Sequence, residues 1–357
     1  MGNDFSEGSQ LPPINRQLKV AVLTGGISEE RDISLQSGNY VVEALREAGL
    51  EVVPVDIGPD NLSILEDTSI DVFFPALHGR FGEDGQLQQI LEDKSLLYTG
   101  SGPAASRLAF DKLSSKKCFT QADVATPKVV KFDARMDAAE LQSQLRRFGE
   151  RFVVKPLRQG STIGVTIVDT TEAALASARQ CSSKFGDCMI EQFIPGREMT
   201  VGILKTRTLP IIEIRSKTGF YDYHAKYVDE QTEFLFDTID QPEPRAKIET
   251  AALDCFNALG CRHFGRVDFI LGNDQTAYAL EVNSIPGLTA HSLLPKAAAK
   301  AGLSMSDLCL EIIGAALEEK QQKVSAIEPA ADSIKIVKPI RKNKTVKEHS
   351  VNPTTRD

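Results

Sequence analysis

The first part of the chain alternates short apolar runs with an apolar stripe at helical spacing. The run over residues 18–23 ends at Gly25-Gly26, which predicts a buried strand followed by a tight turn. A helix is predicted next, closed by Gly49, from the spacing of Val41, Ala44, Leu45 and Ala48. A second strand is predicted over 52–57. Residues 18–57 therefore form a βαβ unit, which implies a parallel sheet covered by helices.

A third buried strand is predicted over residues 71–77, and it leads into the segment 78–85. Three of the eight residues in that segment are glycines, at positions 79, 82 and 85. Such a density of glycine predicts a loop whose backbone closely approaches another group. We expect the first domain to span residues 18–112.

After residue 112 the pattern changes to short strands separated by Gly, Pro and Ser. The strand over 152–156 ends at a proline, which lacks the N–H that a β-ladder needs, and the small residues at 160–164 predict a hairpin loop. Further elements are predicted from the remaining apolar runs, namely strands over 188–194, 209–216, 265–271 and 277–282 and a closing helix over 300–319. We expect a central subdomain over 113–206 and a C-terminal subdomain over 207–319, in a chain of mixed α/β (α+β) class.

Composition and charge exclude several classes of protein. Of 357 residues, 41% are hydrophobic and 25% are charged, as in ordinary globular proteins. The net charge of −8 argues against a nucleic-acid binder, and no apolar run approaches the roughly 18–20 residues of a bilayer span. The six cysteines form no C-x-x-C pair, so we expect buried, reduced thiols in the cytoplasm.

The two ends of the chain differ from the rest in composition. Residues 1–17 are polar and lack the apolar core of a signal peptide, which predicts a disordered lead-in. Residues 321–357 hold eight Lys or Arg and four Asp or Glu, a net charge of +4 that leaves −12 on the body. Their few aromatic residues predict a basic disordered tail over 320–357.

Two carboxylates and an amide form the strongest candidate site. In adjacent antiparallel strands, Asp268 can share one face with Glu281 and Asn283, since 281 and 283 are two residues apart. Carboxylate and amide oxygens suit Mg²⁺, which commonly also binds substrate phosphates, so a nucleotide site is expected nearby. The alternative is that these are three solvated strand residues, because alternation places polar side chains on an exposed face in any case.

A phosphate site is indicated separately. Lys155 lies on a strand just before the loop 160–164, whose backbone N–H groups can surround phosphate oxygens. Neither G-x-x-x-x-G-K-[ST] nor G-x-G-x-x-G occurs, which argues against a P-loop kinase and a dinucleotide dehydrogenase. The polar-aromatic segment 220–227 is typical of a loop that closes on a polar ligand. The segment 283–293 follows the strand that carries Glu281 and contains a Pro-Gly pair. It is suited to present backbone N–H groups beside a reacting centre.

Together these segments resemble the D-alanine–D-alanine ligase family of the ATP-grasp superfamily. The resemblance runs from Lys19 to Leu317. Many segments occur in the family's order and spacing, namely 25–31, 76–85, 98–102, 111–112, 154–156, 160–164, 221–227, 265–268 and 281–292. The implied fold is an N-terminal parallel-sheet pre-ATP-grasp domain followed by a two-subdomain ATP-grasp fold.

The resemblance implies one set of residues for ATP and its metal ions. The phosphates would be bound by Lys112 and Lys155, the adenine by Glu191, and the ribose by Glu198, with Ile194 also at the nucleotide and Lys226 at the transferred phosphate. Two Mg²⁺ ions, with Mn²⁺ as an alternative, would be held by Asp268, Glu281 and Asn283.

A second implied set binds the amino acids and assists the reaction. Glu30 would bind the ammonium of the first D-alanine, His78 would lie close to it, and Ser161 and Tyr227 would join Glu30 in a hydrogen-bonded network. The tetrahedral oxyanion would face Arg266 and the Gly287 N–H. The carboxylate of the second substrate would face Ser292 and Leu293, and that of the product would face Lys226.

The implied activity is ATP-dependent ligation of two D-alanines through an acyl phosphate, for peptidoglycan precursor synthesis. We expect a cytoplasmic homodimer that uses small-molecule substrates and binds neither nucleic acid nor membrane. Two alternatives stay open. One is a D-alanine–D-lactate ligase, against which Tyr227 favours an amine as second substrate. The other is an ATP-binding regulator that has lost catalysis, although competent residues occupy every implied position.

Overall fold

The computed structural model describes residues 17–216 and 232–332. The strands in these ranges are β1 (Lys19–Gly25), β2 (Glu51–Ile57), β3 (Val72–Pro75), β4 (Val129–Lys131), β5 (Phe152–Pro156), β6 (Thr166–Val168), β7 (Cys188–Gln192), β8 (Gly196–Leu204), β9 (Arg207–Thr208), β10 (Ile212–Arg215), β11 (Glu233–Phe236), β12 (Phe264–Gly272) and β13 (Ala277–Asn283). The α-helices are α1 (Arg31–Glu47), α2 (Gln86–Asp93), α3 (Pro103–Phe110), α4 (Lys112–Gln121), α5 (Ala138–Leu145), α6 (Thr171–Phe185), α7 (Pro242–Ala258), α8 (Leu293–Lys300) and α9 (Met305–Asp332).

The N-terminal sheet confirms the predicted βαβ unit. Its strand order is β2-β1-β3, and both pairings are parallel. Alternate residues of β1 enter two different cores: Val20 and Val22 pack with α1, whereas Ala21 and Leu23 pack with α2. Helix α1 ends as predicted, because Gly49 takes a φ of +86° and the Leu50 N–H donates to the Leu45 carbonyl. Burial of both faces is typical of a parallel sheet.

Two antiparallel sheets follow. The smaller sheet has the order β4-β7-β5-β6, and helices α5 and α6 cover its core. The larger sheet has the order β11-β10-β8-β12-β13, with β9 paired to β8. Strand β5 ends at Pro156 and pairs with β6, so the predicted hairpin is confirmed.

Sheet membership differs from the sequence boundaries at two places. Strand β8 belongs to the larger sheet, although the boundary at 206/207 grouped it with the central subdomain. The chain changes sheets at Pro195-Gly196, so the strand continues through the position where the boundary was placed. Helices α3 and α4 also pack on the core of the larger sheet, through Ala105, Ala109 and Phe119. The chain over 103–121 therefore supports the larger sheet before it enters the smaller one.

The C-terminal helix also differs from its predicted bounds. Residues 301–304 connect α8 to α9, with Gly302 at a φ of +85° and the Leu303 N–H donating to the Ala298 carbonyl, and α9 then begins at Met305. Helix α9 continues to Asp332. One compact unit ends at Glu318 and another begins at Glu319. Residues 1–16 and 333–357, for which disorder was predicted, lie outside the described residues.

In the described ranges, no helix is both long and apolar enough to cross a membrane. The six cysteines are all free thiols, and Cys118 is the one that is not buried.

Candidate active site

A cavity of about 360 Å³ is lined by residues of both antiparallel sheets. The smaller sheet contributes Lys155 and Glu191, and the larger sheet contributes Glu198, Asp268 and Glu281. Much of the remaining lining is apolar, namely Val153, Ile163, Val165, Ile167, Phe193, Ile194, Ile214, Ile270 and Leu280. This volume and this mixture of apolar walls with a few charged groups are typical of a small-molecule site.

The wall formed by the smaller sheet contains a buried ion triad. Glu191 on β7 pairs with Lys155 on β5 at 2.6 Å and with Lys116 on α4. All three side chains are at most 9% exposed. Burial alone would raise the pKa of Glu191, but the charges of Lys116 and Lys155 hold it below its ordinary value. Burial lowers the pKa of Lys116 to about 8. The triad keeps a carboxylate ionised inside the protein.

Lys112 connects the wall of the large cavity to β13, the strand that carries Glu281. It is the first residue of α4, whose N-cap Asp111 accepts the Ser114 N–H at 2.9 Å. The Lys112 Nζ donates to the Gln159 carbonyl at 2.7 Å and pairs with Glu281 Oε2 at 2.9 Å. One lysine thus contacts both β13 and the loop that precedes Gly160.

Asp268, Glu281 and Asn283, the predicted metal ligands, lie on one face of the β12–β13 pair. Asp268 on β12 is paired with Glu281 on β13, and Asn283 follows two residues later on the same face. The Asp268 carboxylate accepts hydrogen bonds from Thr200 Oγ1 at 2.6 Å and from Asn283 Nδ2 at 3.0 Å. Arg266 binds both oxygens of Asp268 at 2.8 Å. These side chains line cavities rather than an open sheet face, which favours the site over the alternative of solvated strand residues.

The donor set fits a hard divalent cation. It offers two carboxylates and one amide oxygen, the ligand types that Mg²⁺ prefers. Over 17–216 and 232–332, no group of three His, Cys, Asp or Glu side chains is placed to hold a metal ion. A metal here would therefore depend on the amide and on substrate oxygens in addition to the two carboxylates.

A second cavity, of about 90 Å³, adjoins the first. Glu30 and Ser161 meet here, although they are 131 residues apart: the Ser161 hydroxyl donates to Glu30 Oε1. Glu30 precedes α1 but does not cap it with its side chain, so its carboxylate is directed to the loop instead. A Cβ at Gly160 would lie 2.7 Å from Glu30 Oε2, so a larger residue at this position would displace the Glu30 carboxylate.

His78 joins three segments behind this cavity. Its Nδ1 lies 3.1 Å from the Ile285 carbonyl, which requires that Nδ1 carry the proton. Its Nε2 then accepts from the Ser37 hydroxyl at 2.9 Å, and Ser37 in turn accepts the Leu288 N–H at 3.2 Å. Burial lowers the pKa of His78 to about 4, so the imidazole is neutral at pH 7. This network fixes the segment 285–288 against α1.

The same segment leads into the N-terminus of α8. Ser292 is the N-cap residue but makes no side-chain cap; its Oγ accepts the Thr289 N–H at 3.0 Å and contacts Thr289 Oγ1 at 2.9 Å. A Cβ at Gly287 would lie 2.7 Å from Ser292 Oγ. Gly287, Ser292 and Leu293 therefore form one edge of the small cavity.

The structure brings the described candidate residues to these two cavities. The large cavity receives Lys112, Lys155, Glu191, Ile194, Glu198, Asp268 and Glu281. The small cavity receives Glu30, His78, Ser161, Arg266, Asn283, Gly287, Ser292 and Leu293. Lys226 and Tyr227 lie outside the described residues.

Sequence reasoning missed several residues that hold the site together. Lys116 follows Lys112 by one helical turn, a spacing that could have indicated a second lysine at the same wall. Glu83 stands in the glycine-rich segment 78–85, and its carboxylate lines the small cavity. Ser37 and Thr200 carry no local signal, because their roles depend on partners at 41 and 68 residues' separation.

The fold and the paired cavities define an ATP-grasp protein, in which two antiparallel sheets enclose a nucleotide-sized cavity beside a carboxylate face. The family described as D-ala D-ala ligase C-terminus matches residues 119–314, and that described as D-ala D-ala ligase N-terminus matches residues 61–101. The chain belongs to the D-alanine–D-alanine ligase family.

Individual relatives agree with this family. A D-alanine–D-alanine ligase of Syntrophotalea carbinolica is 42% identical over 304 residues, which cover 84% of this chain and 97% of the relative. The crystal structure of the D-alanine–D-alanine ligase of Bacillus anthracis complexed with ATP has a TM-score of 0.75 at 31% identity, covering 86% of this chain and 99% of that one. A D-Ala:D-Ser ligase of Enterococcus faecalis has a TM-score of 0.72 at 27% identity, covering 84% and 99%.

Proposed function

We propose that this protein joins two D-alanine molecules to D-alanyl-D-alanine at the expense of ATP, as a step in peptidoglycan precursor synthesis. The observation that carries the proposal is the continuity of the two cavities. Both are lined by the same wall, formed by Gly160, Glu198, Ile214, Asp268 and Glu281. The cavities thus meet at the two carboxylates, where a nucleotide phosphate in the large cavity would reach a substrate carboxylate in the small one.

The large cavity is suited to ATP. Lys155 and Lys112 would offset charge on the phosphates, and each is already directed into the cavity by a carboxylate partner. Glu191 and Ile194 would contact the adenine, and Glu198 the ribose. Asp268, Glu281 and Asn283 would hold Mg²⁺, or Mn²⁺ in its place. When bound, the metal would neutralise phosphate charge and polarise the transferred phosphoryl group.

The small cavity is suited to the two amino acids. The first D-alanine carboxylate would attack the γ-phosphorus of ATP, giving an acyl phosphate and ADP. The second D-alanine would attack the acyl carbon through its neutral amine, releasing phosphate and one proton. Glu30 would bind the first ammonium, and Ser161 and Tyr227 would complete its network. Arg266 and the Gly287 N–H would stabilise the oxyanion, an effect commonly worth about 3–4 kcal/mol for one donor.

The remaining assignments complete this proposal. Ser292 and Leu293 would receive the carboxylate of the second D-alanine at the start of α8, where helix N–H groups favour an anion. His78 would lie beside the first D-alanine as a neutral imidazole. We also propose that Lys226 contacts the transferred phosphate, that the enzyme is a homodimer, and that it acts in the cytoplasm, where its free thiols stay reduced.

Phosphate release from ATP tests the proposal. The purified chain should release phosphate when Mg²⁺, ATP and D-alanine are present together, and mass spectrometry should show the dipeptide. Release that requires D-lactate in addition to D-alanine would indicate a depsipeptide ligase, and preference for D-serine would indicate the specificity of the Enterococcus relative. If no D-amino or D-hydroxy acid stimulates release, the chain is a regulator and the proposal is wrong.

A further inference from the structure

Two carboxylates, those of Glu30 and Glu83, converge on the small cavity from separate segments. Glu30 stands just before α1, and Glu83 lies in the segment after β3. Both line the small cavity. Gly79 lies between them: its N–H donates to Glu83 Oε2 at 2.6 Å, and a Cβ on it would be 2.9 Å from Glu30 Oε2. The two carboxylates therefore approach the same glycine.

Glu83 is held in place by the backbone of its own loop, through the Gly79 N–H at 2.6 Å. The backbone of Ile285, at the start of the segment that leads to Gly287, acts to lower the pKa of Glu83. Both backbone groups therefore favour the ionised carboxylate at this position. Such an arrangement is preorganised for a cation, because no side-chain rearrangement is needed when one enters.

The charges around Glu83 leave the cavity rich in negative groups. Burial first, and then the charge of Glu30, raise the pKa of Glu83 to about 8. Arg266 faces the pair from β12, but its guanidinium already donates two hydrogen bonds to Asp268. The neighbouring His78 is neutral. The titratable groups that line this cavity besides Glu83 are Glu30, His78, Glu198, Arg266, Asp268, Glu281 and His291.

We propose that Glu83 and Glu30 together bind the α-ammonium group of the first amino acid, so that Glu83 is a specificity-determining residue for that substrate. This inference rests on the proposed function. An ammonium group offers three N–H donors, and a pair of carboxylates accepts two of them with charge-assisted hydrogen bonds. The bound ammonium also removes the repulsion between the carboxylates, so Glu83 is ionised in the complex. Substrates that carry a hydroxyl in place of the amine at this position are rejected.

The substitution E83Q tests this inference, with D84N as the matched control. Asp84 belongs to the same loop and accepts the Phe81 N–H at 3.0 Å and the Gln86 N–H at 3.1 Å, but it lines neither cavity. At pH 8.5, E83Q should raise the KM of the first D-alanine at least 10-fold. The KM of ATP and that of the second D-alanine should change less than 2-fold. D84N should leave all three KM values within 2-fold of the wild type.

The pH dependence separates substrate binding from a merely structural role. Glutamine resembles protonated Glu83, so E83Q and the wild type should differ less than 3-fold in kcat/KM for the first D-alanine at pH 6.5. The ratio should widen to 10-fold or more at pH 8.5, as Glu83 loses its proton in the wild type. The other titrating groups are shared by both enzymes and cancel in the ratio. If Glu83 only held the loop in place, the ratio of the two kcat/KM values would not vary with pH.

The outcomes distinguish this inference from the proposed function. A constant ratio, or equal increases in all three KM values, would overturn the role of Glu83 while leaving the ligase activity established. A wild-type chain without D-alanine-dependent phosphate release would instead overturn the proposed function. If E83Q does not fold, E83D replaces it in the test. The shorter side chain holds the carboxylate farther from the ammonium group, so the KM of the first D-alanine should rise, while kcat/KM should still increase with pH. A flat profile for E83D would contradict the inference.

Discussion

The two cavities are built in different ways. The large cavity is lined mainly by strand residues, whose positions follow from two antiparallel ladders and are fixed further by buried ion pairs such as Lys155–Glu191. The small cavity is assembled from segments that lie far apart in the chain, and side-chain contacts such as Ser161 to Glu30 join them. The large cavity therefore depends on strand register and charge, whereas the small cavity depends on how the N-terminal sheet packs against the C-terminal segment.

A substitution in the wall shared by both cavities should have the largest effect on turnover. E281Q keeps the shape of the side chain but removes the charge of a proposed metal ligand, so Mg²⁺-dependent turnover should fall at least ~1000-fold, roughly 4 kcal/mol in the barrier. The fold should be retained, as measured by circular dichroism. D274N, at the turn of the same hairpin and outside both cavities, should keep its activity. Unchanged turnover in E281Q would show that Glu281 does not hold the metal.

The second-largest effect should come from a substitution in the ion triad of the large cavity. K116M leaves the buried Glu191 with Lys155 as its remaining partner of the triad, and breaking a buried pair costs about 3–5 kcal/mol. We expect that loss in the free energy of unfolding measured in urea, with the KM of ATP raised more than either D-alanine KM. K117M, at the exposed neighbouring position, should stay within about 0.5 kcal/mol of the wild type. Equal losses in the two variants would contradict the role of the triad.

The smallest of these effects should concern the small cavity. His78 has a pKa lowered to about 4 in the folded protein, so between pH 4 and 6.5 the unfolded chain binds more protons than the folded one. Stability should therefore rise with pH across this window and be fully present above pH 6.5. The lowered pKa of His78 makes the free energy of unfolding about 3 kcal/mol larger above pH 6.5 than at pH 4.

Urea unfolding at several pH values, compared between the wild type and H78Q, measures this contribution. The difference between the two proteins should shrink as the pH falls from 6.5 to 4. H291Q, which changes an exposed histidine on the rim of the same cavity, should parallel the wild type. If H78Q also parallels the wild type, His78 is not held neutral by burial.

Local pattern was sufficient for much of the fold and for one part of the site. The alternation in β13 places Glu281 and Asn283 on one face, because strand geometry has a period of two. Their pairing with Asp268 was predicted as well, but it depends on a register shift between Asp268 and Phe269 that the pattern did not show. The βαβ unit and the closure of α1 at Gly49 followed from periodicity and from the left-handed conformation that glycine adopts. The remaining roles were implied by resemblance rather than by pattern.

Where local signals were weak, the predicted bounds differed from the structure. The sequence boundary at 206/207 separated β8 from its partners, since nothing in a single strand shows which sheet it joins. The helix predicted over 300–319 began five residues too early, because the apolar residues before Met305 pack in the turn that follows α8.

By itself, the sequence determined the βαβ unit, the strands β12 and β13 with their polar face, and the hairpin beside Lys155, since each depends on residues close together in the chain. Only the tertiary structure decided which groups meet: Glu30 with Ser161, His78 with Ile285, and Lys116 with Glu191. These contacts join residues 75 to 207 positions apart. Periodicity records which face of an element is buried, but the packing of whole elements decides what that face contacts. The small cavity consists of such contacts, and for that reason the approach of Glu83 and Glu30 to Gly79 could not be predicted from the sequence.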